Sequence, residues 1–231
     1  MTQRAIAYWV IPPEENAEFV AAMEAVLDVY AQPYDVENPV LCMDEQPVQL
    51  VKETRTPLSA TKTQPERLDY EYERAGTASI FMFTEPLSGW RQATARPRRT
   101  QADWAEEVAS LLEGRYAHCP RITRVSDNLN THTKGAFYEV FGPARARELV
   151  RRIEFCHTPK QGSWLNIAEN ALSAMTRQCL GKRRLGDIET LRSEMSAGSV
   201  DVNNKQRGVD WQMKIDDARM KLKSVYPKNK L

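Results

Sequence analysis

The sequence has no stretch that approaches the roughly 18 consecutive apolar residues a membrane-spanning helix needs, so no span is expected. Cysteine is scarce: Cys42, Cys119, Cys156 and Cys179 are scattered, with no CxxC pair and no Cys/His cluster. That spacing excludes the common zinc sites and a disulfide framework; the adjacent His118 and Cys119 are an incidental pair. The start, "MTQRAIAYWVIPPEEN", lacks a basic region followed by a signal-type apolar stretch and cleavage site, and a cytoplasmic location is expected. Internal repeats and low-complexity segments are also missing. What remains is ordinary for a globular protein. The 231 residues, 42% hydrophobic and 27% charged, suffice for one large domain or a domain with appendages.

The net charge of +1 hides an asymmetry. Residues 1–45 hold one basic residue, Arg4, against nine acidic ones (−8), while the remainder holds 31 basic and 22 acidic residues (+9). The segment "RQATARPRR" carries Arg91, Arg96, Arg98 and Arg99 without an acid. Such patches suit phosphate backbones. Solvated surface is the equal alternative, and the acidic start and basic body also suit simple mutual attraction.

Periodicity supplies the elements. Phe19, Val20, Met23, Val26, Leu27 and Tyr30 make one apolar stripe, which predicts an amphipathic helix over 13–31 opened by prolines. "PVLCMDE" reads as a buried strand ending in two acids. Residues 46–75 read as a long irregular connection, and 77–97 as an antiparallel hairpin turning at "SGW". Thr100 and Asp103 resemble a helix cap before a helix with Trp104, Val108, Leu111 and Leu112 on one face. "RITRVSDN" and "IEFCHTP" are further strands, with the helix "PARARELVRRIE" between them. A helix from Ser163 to about Leu180 follows, then a helix at "GDIETLRSEM", a loop at "SAGSVDVNNKQRG" and a terminal helix at "DDARMKLKSVY". This order predicts an α/β fold: a mixed central sheet with antiparallel first strands, flanked by helices.

Three carboxylates occupy comparable places. Asp44 ends the first strand, Asp127 ends a later one, and Glu169 lies in the first turns of the helix after the last strand. Functional groups of open α/β sheets collect at the carboxyl ends of strands. Leu165, Ala168, Leu172, Met175 and Cys179 form that helix's core stripe, and Glu169 borders it, facing the sheet. Three like charges in a half-buried site repel, and a hard divalent cation such as Mg²⁺ removes that cost. Capping and surface ion pairs are the plainer roles for each acid taken singly.

The blocks "CMDE", "VSDNLNTHT" and "HTPKQGSWLNIAE" resemble the three catalytic blocks of the DDE transposases, in the mariner-like bacterial insertion-sequence branch. The 41 residues between Asp127 and Glu169 are compatible with that branch, and "DYEYERAGTASIFMFTEPLSGWR" and "VDWQMKIDDARMKLKSVYP" extend the likeness over nearly the whole chain. The resemblance implies an RNase H-like fold with Asp44, Asp127 and Glu169 as the catalytic, metal-binding triad. It implies two Mg²⁺ ions, replaceable by Mn²⁺, about 4 Å apart and clamping the attacking and leaving oxygens of a phosphodiester displacement. Transposon ends and target DNA are the implied partners, with a homodimer and a location at the nucleoid. Within these blocks Asn128 and His132 are supporting candidates, and Lys160 joins Arg91, Arg96, Arg98 and Arg99 as a candidate DNA contact. Glu45, adjacent to Asp44, points to the opposite side of a strand and is expected in a salt bridge or turn contact; Trp164 is expected in the core.

Full-length members of that family carry helix-turn-helix modules before the catalytic domain. Here residues 1–36 read as a linker region with one acidic helix, and 37–231 as the catalytic domain with C-terminal helices. A separate helix-turn-helix product is a candidate partner. Two functions stand side by side: a metal-dependent DNA strand transferase, and a non-catalytic remnant that binds DNA or a full-length transposase.

Overall fold

The computed structural model describes residues 14–181, 183–205 and 207–228. Five strands form its centre: β1 (Val40–Glu53), β2 (Tyr72–Thr84), β3 (Arg91–Arg96), β4 (Ile122–Ser126) and β5 (Ile153–His157). Their spatial order is β3-β2-β1-β4-β5. The first three pair antiparallel, whereas β4 runs parallel to β1 and β5 parallel to β4. The expected hairpin and the expected mixed sheet are both present. Among the described residues no helix is long and apolar enough to cross a membrane.

The helices are α1 (Ala17–Ala31), α2 (Gln101–Glu113), α3 (Lys134–Val140), α4 (Pro143–Arg151), α5 (Ile167–Met175), α6 (Ile188–Lys205) and α7 (Ile215–Lys221). Strand alternation divides the core in two. Cys42, Ile80, Met82, Ala93 and Val125 face α1, α5, α6 and α7. Leu41, Met43, Phe81, Phe83 and Ile122 face α2, α3 and α4. The capping box of Thr100 and Asp103 starts α2 as expected, each side chain bonding the other's backbone.

Several boundaries differ from the sequence expectation; α7 ends at Lys221 rather than Tyr226, and α3 was not expected. Asp44 does not end its strand: β1 continues to Glu53, and β2 begins at Tyr72, so only residues 54–71 connect them. Pro47 hid this continuation, but β4 pairs β1 only at Val40–Cys42, and beyond that point β1 is open on one side, where proline is tolerated. The small residues of "SAGSV" do not break a helix either, since α6 runs through them to Lys205. A Cβ on Gly198 would sit 2.9 Å from Cys179 Sγ and 3.1 Å from Met175 Sδ, so this glycine serves close helix packing. The helix expected from Ser163 to Leu180 is three pieces, a 3₁₀ turn (Ser163–Leu165), α5 and a π turn (Thr176–Leu180). Helix α1 begins after its cap Asn16, whose side chain accepts from Phe19 N–H; Pro12 and Pro13 lie outside the described residues.

Helix α1 is part of the core rather than an appendage. Met23, Val26 and Leu27 are buried, and the Tyr30 hydroxyl donates to Leu165 O at 2.7 Å, at the turn leading into α5. The Tyr30 ring packs on Trp211, 5.2 Å between centroids. Tyr30→Phe strands a buried carbonyl, and should cost about 1–3 kcal/mol in urea unfolding. An unchanged midpoint would show that the hydroxyl does not hold this turn.

Candidate active site

Asp44 lies on β1 in the middle of the sheet, directly opposite Met82 on β2. By alternation it faces α5 with Cys42, while Glu45 faces α2 and α3 with Met43. Its Oδ1 accepts from the Glu45 N–H at 2.8 Å.

Asp127 follows the last residue of β4. Its backbone carbonyl accepts from Ser126 Oγ at 2.8 Å and from His157 Nδ1 at 3.3 Å. Ser126 is paired with His157 across the parallel ladder, so the ends of β4 and β5 are fastened together beneath Asp127.

Glu169 is placed by Asn166. This asparagine caps α5, its Oδ1 accepting from Ala168 N–H at 3.1 Å. Its Nδ2 donates to Met43 O at 2.9 Å, one residue from Asp44. The helix therefore starts against β1, and Glu169 sits in its first turn. Asn166 was not among the residues singled out from sequence, although an Asn three positions before a Glu at a helix start is a recognisable cap signal.

Burial foremost pushes the Asp44 carboxyl up to about 7; the Glu45 N–H opposes the shift, and the charges of Glu169, Asp127 and Glu45 add to it. Among the described residues, no three His, Cys, Asp or Glu side chains already stand in positions to ligate one ion. The three acids are thus close enough to repel without being drawn into a coordination set. Their hard carboxylate oxygens and excess negative charge fit Mg²⁺ or Mn²⁺.

Behind the acids, on the α2/α3 side, lies a second group. His132 Nε2 is 2.9 Å from Glu45 Oε1, and its Nδ1 is 3.3 Å from Asp127 Oδ1. The second contact is close but poorly aligned, since Nδ1 completes no hydrogen bond. Burial pulls the His132 pKa down, and the contacts with Asp127 and Glu45 outweigh it, leaving it raised. The expected salt bridge of Glu45 is thereby present.

Arg124 on β4 is 0% exposed and lies over the rings of Trp104 and Phe155, 4.9 and 4.7 Å from their centroids. Burial lowers its pKa to about 9, against the opposing charges of Asp127 and Glu45. The sequence reading missed it, because an arginine inside a short strand gives no sign of its burial.

The remaining candidates scatter. Asn128 and Lys160 are exposed and line, with Asp127 and His157, a cleft of about 800 Å³ beside α1. The arginines of "RQATARPRR" do not form one patch. Arg96 is committed to Glu107 at 2.5 Å, to Glu106 and to Asp103 at 3.6 Å. Arg91 is half-buried against α6, its backbone bonded both ways to Asn203. Arg98 and Arg99 are exposed. Trp164 is partly buried and stacks on Trp211 at 6.5 Å.

A mixed five-stranded sheet in this order, with helices on both faces, is the RNase H-like fold. The chain belongs to the DDE superfamily endonuclease family, whose sequence profile matches residues 39–192. DDE-type enzymes of this kind generally use divalent metals.

Solved structures similar to it include complexes of the mariner Mos1 transposase. The mariner Mos1 paired-end complex with Mg has a TM-score of 0.60 at 14% identity, covering 98% of this chain and 68% of that one. The Mos1 transposase paired-end complex with left transposon end has a TM-score of 0.54 at 14% identity, covering 86% and 59%. The paired-end complex with Mn has a TM-score of 0.50 at 14% identity, covering 89% and 65%. The chain thus spans about two thirds of the length of these transposases. No curated protein matches it.

Asp44 predicts a pH dependence for the metal-free protein. Unfolded, it releases its proton near pH 4; folded, near 7. Between those values the folded chain holds the extra proton, so stability falls as pH rises from about 4 to about 7. Urea midpoints in EDTA at pH 5 and pH 8 should differ more for the wild type than for Asp44→Asn. Equal slopes would show that Asp44 carries no buried charge.

Proposed function

We propose that this chain is the catalytic domain of a DNA transposase, performing divalent-metal-dependent phosphodiester hydrolysis and strand transfer at transposon ends and target DNA. Asp44, Asp127 and Glu169 are its catalytic metal ligands in this reading. The observation that carries it is where three distant segments place their acids: Asp44 within central β1, Asp127 just past the end of the neighbouring β4, and Glu169 in the first turn of a helix bonded to β1 through Asn166. Family membership and the likeness to transposases solved with transposon-end DNA support it.

Bound Mg²⁺ or Mn²⁺ would supply Lewis-acid polarisation of the scissile phosphodiester. The chain's own residues do the positioning. Asp44 is held by the rigid centre of the sheet, with its Oδ1 already oriented by a backbone N–H. Glu169 is fixed through Asn166 to the strand that carries Asp44. Asp127 opens onto the cleft where Asn128 and Lys160 can meet the phosphates of an incoming strand. Water then serves as nucleophile for cleavage, and a freed 3′-hydroxyl for joining. A homodimer on paired ends, and a helix-turn-helix part that recognises them, complete the proposal.

Supercoiled plasmid incubated with Mg²⁺ or Mn²⁺ should be nicked by the wild type and left intact by Glu169→Gln. A folded protein that nicks with neither metal would shift the reading to a DNA-binding remnant. For binding, Arg98→Ala and Arg99→Ala should each weaken affinity similarly across sequences and reduce the salt slope by about 1. An unaltered slope would remove these two arginines from the DNA surface.

A further inference from the structure

Glu45 has no task in the proposed chemistry, yet it is among the most enclosed acids of the molecule. Its side chain is 3% exposed, and that of its partner His132 is 1% exposed. The His132 ring is held from several directions. It stacks on Trp104 at 5.3 Å and 29°, and Trp104 is itself anchored by its indole N–H on Met43 Sδ at 3.1 Å. The loop bearing His132 is closed by a hydrogen bond from its N–H to Leu129 O at 3.0 Å. Asp127, by contrast, is 42% exposed and stands past the end of its strand. Among the described residues its one side-chain ion-pair contact is with His132.

We propose that Glu45 is a positioning residue which, through His132, fixes the orientation of the Asp127 carboxylate for a divalent cation. This rests on Asp127 being a metal ligand. A carboxylate so exposed is free to change rotamer, and an ion that must select one rotamer is bound more weakly. An imidazole that touches the carboxylate on one side and is gripped by a buried acid on the other removes that freedom, as partners behind metal ligands commonly do. The imperfect alignment at Nδ1 suits a contact that tightens when the site is filled.

The alternative is that Glu45 and His132 form a stabilising core pair. The geometry argues against it. Glu45 Oε2 is buried with no hydrogen-bond partner, whereas an acid kept for stability has its oxygens satisfied. Replacing such a pair by apolar groups is often neutral or stabilising.

The test is Mn²⁺ titration by calorimetry on the full chain, with melting in EDTA as the fold control. Glu45→Leu should bind Mn²⁺ about 10–100-fold more weakly while still folded in EDTA at the titration temperature, although removing one partner of a buried pair lowers its melting temperature. Glu45→Gln, whose amide oxygen can still accept from Nε2, should recover most of that loss. Wild-type affinity in folded Glu45→Leu overturns the proposal. Should Glu45→Leu fail to fold, His132→Gln carries the same reading, and wild-type affinity there overturns it equally. Asp127→Asn separates the two levels. If it loses Mn²⁺ while Glu45→Leu does not, the positioning role alone falls. If it binds as the wild type does, Asp127 is no ligand and both readings fall.

Discussion

The hydrogen bond from Asn166 Nδ2 to Met43 O, 2.9 Å long and buried, joins the two parts of the molecule that must meet. On one side of it is the central strand with Asp44. On the other is the first turn of α5 with Glu169. Without a partner of this kind a helix start would present its free N–H groups and its acid to whatever lay near. With it, a helix that follows β5 in sequence is registered against β1, two strands away in the sheet. Tyr30 supports the same turn from α1 through Leu165 O, and Trp211 and Trp164 stack behind it. The acid from the third block is thus held by the N-terminal helix, the central strand and the C-terminal segment together.

The sheet then sorts the charged groups by face. Asp44 and Glu169 lie on the α5 side, whereas Glu45, His132 and Arg124 lie on the α2 and α3 side. Asp127 stands past the end of β4, where neither face is closed, and its charge is felt by groups on both: Asp44 on one side, and His132 and Arg124 on the other. The dipeptide Asp44-Glu45 therefore faces two environments because of strand alternation alone. One acid faces the α5 side and the next is enclosed against His132.

Much of this was legible in the sequence where a local rule decides the outcome. The stripe from Phe19 to Tyr30, the Thr100–Asp103 cap and the hairpin through "SGW" depend on neighbours a few residues away, and the structure contains each. The three acids could be placed at strand ends and a helix start, but Asp44 proved to be mid-strand. Pro47 and the polar residues after it read as a break, and the lack of strand pairing on the β4 side beyond Cys42, while β2 stays paired on the other, explains their tolerance. Gly198 likewise read as a loop, because its reason lies in Cys179 and Met175 on another helical segment. The burial of His132 and Arg124 was not legible at all. Burial of a loop residue depends on how the loop folds back, and a single arginine in a five-residue strand carries no periodic signal. That Arg96 is paired with acids was illegible for a related reason, since those acids come from the next helix.

Arg124 carries a charge into the enclosed side of this region. It has no carboxylate within ion-pairing reach among the described residues, and its Nε and Nη2 are buried without partners. A cation in that state costs stability, and stacking on Trp104 and Phe155 offsets only a part of the cost. The carboxylates of Asp127 and Glu45 act on this one buried cation and on His132. The positive groups lie on the enclosed side and the unmatched negative charge on the side that opens at Asp127. Selection for stability would exchange such groups for apolar ones. Positive charge entering from the open side would offset the repulsion among Asp44, Asp127 and Glu169, which is why a divalent cation is proposed there.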